Sequence, residues 1–370
     1  METAITNLAL ALSSGAALGL SLLSSVLGRA RGGLRARRHR PGATLPDFER
    51  RLRRSFQAAP SGRVSLNTEY GMIKVVPIDG ELIEFELVRS VSAKDKPSAE
   101  EIFDDFRIDF RESEGELRIE ARFHDGWRPF TDKGNLLGMF KGGCHLVYWN
   151  NLREHKFQLR LPRNYSVELK TGYGSISVEG LEGEALIDTL TGDIWLGNMG
   201  SAVAAETSAG DVRLARSGRN ASLKTLGGSI QVGQVYGDLR ATTLGGSIGV
   251  QTVTGCVEAE TLGGRIRIHG VGGAVRAKTG GGSVEVRMTS QPEAESYLVT
   301  SSGSVTVYLP ESAEVDINAD ANGSRVSAEF DLDSKVVRGS KLNASINGGG
   351  PEIYLRSASG GIYVRKTPTA

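Results

Sequence analysis

The chain has 370 residues, ample for a buried core, and carries 44 Lys plus Arg against 43 Asp plus Glu. That balance leaves no molecule-wide basic footprint, which argues against a nucleic-acid binder that grips phosphates through net positive charge. Two distant cysteines, Cys144 and Cys256, make neither a disulfide framework nor a zinc site, and 48 Gly beside only 11 Pro is not the joint enrichment of disordered sequence.

Residues 3–28 carry no charge and are dominated by Leu and Ala. At about 1.5 Å per residue, a helix of that length crosses a hydrocarbon core of about 30 Å. Residues 1–28 are therefore expected to form a hydrophobic helix that anchors the chain in a membrane, with a secretory signal as the alternative. A signal would place its positive charges before the apolar run. Here Glu2 precedes it, and Arg29, Arg31, Arg35, Arg37, Arg38 and Arg40 follow, which favours a cytoplasmic side for what comes next. Residues 29–60 read as a basic linker with a short helix over 46–56. Its arginines either touch anionic lipid heads or solvate a tether.

From residue 61 to 365 the chain reads as a β-solenoid. A first coil is signalled by Thr68, Gly71, Ile73 and Val75. An excursion over 80–162 follows, in which the periodicity becomes two: Ile83/Phe85/Leu87, Phe106/Ile108/Phe110, Leu117/Ile119/Ala121 and Phe157/Leu159/Leu161 alternate with mostly polar residues. These are half-buried strands. Between them, the capping box from Ser98 to Glu101 predicts a short helix through Phe103. The block reads as a small α+β cap over the open solenoid end. Within it, residues 126–152 are irregular and aromatic. Trp127 and Trp149 there are candidate contact residues, against the plainer reading that they pack on the cap.

An uninterrupted run then repeats every 18 residues. Thr171, Thr189, Thr207, Thr225, Thr243, Thr261 and Thr279 are each followed three positions on by Gly174, Gly192, Gly210, Gly228, Gly246, Gly264 and Gly282. Apolar pairs such as Val167/Leu169 and Ile187/Ala185 precede each Thr, and Ile or Val pairs such as Ile230/Val232 follow each Gly. One strand thus ends at the Thr, Gly turns a corner, and a second strand carries the Ile/Val pair. A third short strand or turn is expected at Leu181, Met199, Val235, Val253 and Val271. The spacing predicts a single-chain parallel β-solenoid of about ten coils rising about 4.8 Å each, with the threonines stacked as an internal hydroxyl ladder. Thr300/Gly303/Val305 continues the pattern after an insertion, Asp320/Gly323 is degenerate, and 361–364 look like a terminal coil before a tail at 366–370.

The hexapeptides TLGGSI at 225–230 and 243–248, their variants TGYGSI and TLTGDI, the opening NTEYGMIKV, and FQLRLPRNYSVELKTGYGSISVEG before the main run carry a resemblance. Over residues 60–365 the chain resembles the bacterial putative-adhesin family of β-strand repeat proteins. That resemblance implies a β-solenoid, often envelope-associated, with no catalytic residues and no cofactor to carry over.

Chemistry is sparse. The glycine corners lack the Lys-Ser/Thr of a phosphate loop and lie between strands rather than before a helix. Cys144, His145 and His155 form the one His/Cys cluster, without metal-ligand spacing. The sharper idea concerns Asp193 and Asp211, which follow corner glycines and should stack one rung apart. Two carboxylates about 5 Å apart suit retaining glycoside hydrolysis, but short polar side chains at a corner also simply bond the turn backbone. Trp195 should point outward between Ile194 and Leu196, toward a neighbouring loop or a ligand. The expected role is that of a non-enzymatic, envelope-associated scaffold or interaction surface for a protein or glycan partner, with end-to-end self-association as a further possibility and a polysaccharide-acting enzyme as the alternative.

Overall fold

The computed structural model describes residues 45–123, 152–333 and 335–368. The expected hydrophobic helix at 1–28, the Arg cluster, Trp127, Trp149 and Cys144 lie outside the described residues. Among those described, no helix is long and apolar enough to cross a membrane.

The described chain is all-β with one helix. Its strands form a 14-stranded and a 15-stranded sheet, most neighbours running parallel. Each coil gives one strand to each. The strands that carry the corner threonines, such as Ala221–Thr225, build the larger Thr sheet, and those with the Ile/Val pairs, such as Ile230–Val235, build the Ile/Val sheet. Pairing advances by 18 residues per rung, so Thr171, Thr189, Thr207 and Thr225 fall in one column. Ile194, Val212, Ile230, Ile248 and Ile266 fall in another. Because side chains alternate across a strand, every second residue faces inward. The inward ones, from Val64 to Val364, join into one continuous core.

The third short strand is not separate. Met199, Val235, Val253 and Val271 end the second strand itself, where strict alternation fails: two unburied residues precede Val235 and Val253, and Gly197 and Gly270 are buried out of turn.

The alternating segments of the excursion all form strands, but they do more than cover an end. Glu116–Phe123 pairs in parallel with the first-coil strand Arg63–Tyr70, and Leu152–Pro162 pairs in parallel with Met72–Ile78. Chain that comes later therefore supplies a rung outside the first coil. Leu82–Ser92 and Phe106–Ser113 then pair antiparallel to these strands. The helix spans Lys96–Asp104, starting before the predicted capping box, and its N-cap is Asp95, whose carboxylate accepts from the Ser98 amide at 3.0 Å. Pro97, pre-set in φ and lacking a donor, belongs in a first helical turn, which moves the cap upstream.

The short helix expected over 46–56 is instead the strand Asp47–Gln57, paired antiparallel to Leu82–Ser92 along its whole length. Phe48, Leu52 and Phe56 are spaced for a helix face, yet in the strand Arg50 and Arg54 share that side. Arg50 lies 4.8 Å over Phe103 and Arg54 5.9 Å over Phe110. Sheet pairing and cation–π contact override the local spacing.

The expected terminal coil is also displaced. Glu352–Ser357 and Ile362–Lys366 sit between the coil of Ser296–Thr300 and Val305–Leu309 and that of Val315–Asp320 and Val326–Ala328. Lys341–Ile346 and Lys335–Arg338 close the Thr sheet as an antiparallel hairpin. Among the described residues, the Ile/Val sheet holds twelve parallel strands from Leu152–Pro162 to Val326–Ala328, against about ten coils expected.

Candidate functional site

The corner is the most heavily specified element. Each Thr hydroxyl is buried, but it does not bond its neighbour in the column, as an internal hydroxyl ladder would require. Instead it donates to the carbonyl of the preceding coil's corner glycine: Thr189 to Gly174 at 3.0 Å, Thr207 to Gly192 at 3.0 Å, Thr225 to Gly210, Thr243 to Gly228 and Thr261 to Gly246 at 2.8 Å, and Thr279 to Gly264 at 2.6 Å. Thr171 does the same to Gly71 at 3.2 Å. In the TLGG and TGGG corners the same oxygen also accepts from its own corner glycine, as in Gly246 N–H to Thr243 at 3.3 Å. One hydroxyl thus serves two backbone groups that a turn would strand. The glycines are dictated by stacking: a Cβ on Gly246 would lie 2.0 Å from the Gly228 carbonyl oxygen. In three corners, at Gly174, Gly192 and Gly210, φ is also near +150°, a region side-chain-bearing residues avoid.

Asp193 and Asp211 do stack one rung apart, and the corner uses both. Asp193 Oδ1 accepts from the Asp211 amide and Asp211 Oδ1 from the Ser229 amide, each at 2.8 Å. Ser175, Ser229 and Ser247 play the same part at 3.2 Å. This is turn-bonding chemistry, a side chain completing the amide of the next coil. Arg213 lies 3.5 Å from the other Asp211 oxygen. Trp195 points outward from the Ile/Val sheet as expected and is 43% exposed.

A surface that the sequence reading missed lies on the outer face of the Thr sheet. There a groove of about 820 Å³ runs from Arg63 to Tyr297, floored by small residues including Ala202, Ala204, Ser222 and Ala274. Paired rung by rung, the outward column reads Leu186, Ala204, Ser222, Arg240, Glu258, Arg276, Tyr297. The shrinkage to Ala and Ser between larger side chains is what opens the groove, and it was visible in the 18-residue alignment. Charges on its wall are matched: Arg240 meets Glu258 at 3.5 Å, and Arg276 lies 4.9 Å over the Tyr297 ring.

Electrostatic strain collects at the other end, near the base of the helix. Arg89 is buried, 4% exposed. It donates to the last helical carbonyls, Phe103 at 2.8 Å and Ile102 at 3.2 Å, and to His155 Nε2 at 2.7 Å, between the Phe103 and Phe106 rings. Burial, reinforced by the Arg50 charge, lowers the Arg89 pKa to about 10. Burial, reinforced by Arg89 itself, pushes His155 down to about 3, so its imidazole is neutral and can accept. Glu69, which accepts from the Phe123 amide at 3.3 Å, is raised by burial to about 7. The Arg89 and His155 pair holds the helix end. In the sequence His155 draws notice only with Cys144 and His145, and Arg89, which shares the inward parity of Ile83, Phe85 and Leu87, is passed over because nothing in the strand itself names what a buried Arg would bond.

The Toastrack DUF4097 family model matches residues 90–365. Among solved structures, the chain is similar to one described as a putative cell adhesion protein from Clostridium sporogenes ATCC 15579. That match is 12% identical, covers 86% of this chain and 100% of the other, and has a TM-score of 0.22. A second, described as a putative adhesin from Bacteroides fragilis NCTC 9343, is 11% identical over 86% of this chain and 97% of its own, with a TM-score of 0.33. No curated relative matches the sequence. Three quarters of the chain, including every corner of the uninterrupted run, falls within the matched span, and the chain belongs to the Toastrack DUF4097 family.

Proposed function

We propose that the protein is a non-enzymatic, adhesin-like scaffold of the bacterial envelope, attached to a membrane through residues 1–28, that presents fixed ladders of side chains to a protein or glycan partner. The observation that carries this reading is the corner chemistry. Its polar residues, Asp193 and Asp211 included, are engaged in bonding the backbone of the next coil, while the outward columns stand on a backbone with little freedom to rearrange. A rigid surface loses little conformational entropy on contact, which is what a binding scaffold needs. Function on such a fold rests in the surface rather than in the architecture.

The test is protease accessibility of the solenoid in intact against lysed cells, combined with a screen of polysaccharides for cleavage. Protection that depends on an intact membrane, or digestion from outside, places the partner in one compartment, and no glycan should be cleaved. Turnover of a polysaccharide that is lost in an Asp193→Asn, Asp211→Asn variant would replace this reading with an enzymatic one.

A further inference from the structure

We propose that the outer face of the Ile/Val sheet around Trp195 is a saccharide-binding site that takes a β-linked pyranose ring stacked on the indole. The column holding Trp195 places Ser177 one rung below and Arg213 one rung above it. Ser177 is too small to cover the ring, and Arg213 turns aside to Asp211 at 3.5 Å. The indole therefore stands 43% exposed on a strand whose neighbouring inward residues, Ile194 and Leu196, are fully buried. Its backbone is held by parallel pairing on both sides, and Gly197 beside it is packed so closely that a Cβ would lie 1.9 Å from the Glu179 carbonyl oxygen. The ring is thus an aromatic platform on a rigid element.

Polar groups surround the platform. Asp193, two residues away, bonds the next coil through Oδ1. The Asp211–Arg213 pair lies one rung above it. Further along the same strand, Asn198 borders a hollow of about 370 Å³ floored by Gly180, Gly200 and Gly218 and edged by Glu179 and Arg216.

This pattern fits a sugar better than a protein. Protein hot spots surround an aromatic anchor with further packed side chains that exclude water, whereas Trp195 has only small, polar or charged neighbours on its face. A pyranose with equatorial substituents offers one flat C–H face for a single ring, and hydroxyls around its rim for carboxylate, guanidinium and amide partners. The site lies on the opposite sheet from the groove at Ala204 and does not depend on it.

The test titrates the full-length protein with cellohexaose, chitohexaose and isomaltohexaose by calorimetry, beside the Trp195→Ala, Trp195→Phe and Ala204→Trp variants, each checked by circular dichroism for an unchanged fold. The expected result is binding of at least one β-1,4-linked hexasaccharide. It should weaken tenfold or more in Trp195→Ala, stay within about fivefold in Trp195→Phe, which keeps a stacking ring, and be unchanged in Ala204→Trp, which fills the groove. Sugar binding that survives in Trp195→Ala, or loss in Ala204→Trp alone, would move the site off this face. The absence of binding by all three sugars at millimolar concentration would overturn the proposal while leaving the scaffold reading intact.

Discussion

Replacing Thr243 by Val tests the corner chemistry with the least steric disturbance. Valine keeps the β-branch and volume of a side chain that is 1% exposed but removes an oxygen that donates to the Gly228 carbonyl at 2.8 Å and accepts from the Gly246 amide at 3.3 Å. Each orphaned backbone group costs about 1–3 kcal/mol when buried. Gly246 is only half-buried, so water can reach its N–H and the total falls near 2–3 kcal/mol, about 30- to 150-fold in the unfolding equilibrium. Thr243→Ser is the partner experiment: it keeps both bonds and loses one methyl, worth roughly 1 kcal/mol. Urea unfolding followed by circular dichroism gives the order wild type, Ser, Val. Because a stack of coils can melt in blocks, hydrogen exchange at the Gly246 amide should be read alongside the global transition. A Val variant as stable as the Ser variant, with the Gly246 amide still protected, would refute the account of why threonine recurs every 18 residues.

Gly246→Ala should cost about 3 kcal/mol or more, since its Cβ would meet backbone that cannot swing away, whereas Gly227→Ala, with its nearest atom 3.8 Å off, should change the melting temperature little. Equal effects from the two would contradict the stacking argument. His155 has a folded pKa depressed to about 3 against about 6.5 unfolded. Between those values the unfolded chain binds the extra proton, so stability is intact above pH 6.5 and is lost as pH falls toward 3, by about 1.4 kcal/mol per unit in mid-window. Urea midpoints at pH 7 and pH 5 should therefore differ more in the wild type than in His155→Gln, and parallel shifts would count against a buried neutral imidazole. Asp193→Asn with Asp211→Asn should leave stability within about 0.5 kcal/mol, since an amide oxygen can still accept, while the double alanine variant should lose roughly 1–2 kcal/mol in thermal unfolding.

The run from Thr171 to Gly282 was legible because every determinant there is local and repeated: alternation sets the inward face, Gly sets the corner, and the 18-residue step sets register without knowledge of any distant segment. The Asp193 and Asp211 stack followed from the same arithmetic. Legibility failed where long-range pairing decides. Phe48, Leu52 and Phe56 satisfy a helical face, and only the partner strand Leu82–Ser92 makes them extended. Thr columns predicted a hydroxyl ladder because sequence places like beside like. The bond to glycine instead joins each Thr to the corner Gly 15 residues before it, in the coil beneath. Arg89 was unreadable for a different reason: its partners, Ile102, Phe103 and His155, lie 13 to 66 residues away in sequence, and two of the three contribute main-chain carbonyls that no composition reveals.

The two ends of the stack solve one physical problem in related ways. A parallel solenoid leaves at each end an open apolar core and two strands with unpaired backbone groups, a template for uncontrolled assembly. At the amino-terminal end the first coil is covered by a rung whose halves come from Glu116–Phe123 and Leu152–Pro162, and antiparallel strands finish both sheets. At the other end the last coil in sequence is second to last in space, held between its predecessor and the coil of Val315–Ala328, with the Lys335–Ile346 hairpin outermost on one sheet. Of the outermost strands, Phe106–Ser113 runs against the parallel direction, whereas Asp47–Gln57 and Lys335–Arg338, each antiparallel to a reversed neighbour, run with it and carry exposed cations, Arg51 and Arg53 on one, Lys335 and Arg338 on the other. Strands from outside the uninterrupted 18-residue run thus finish both sheets at both ends, and charged side chains on an edge strand are one way of blunting its unpaired backbone.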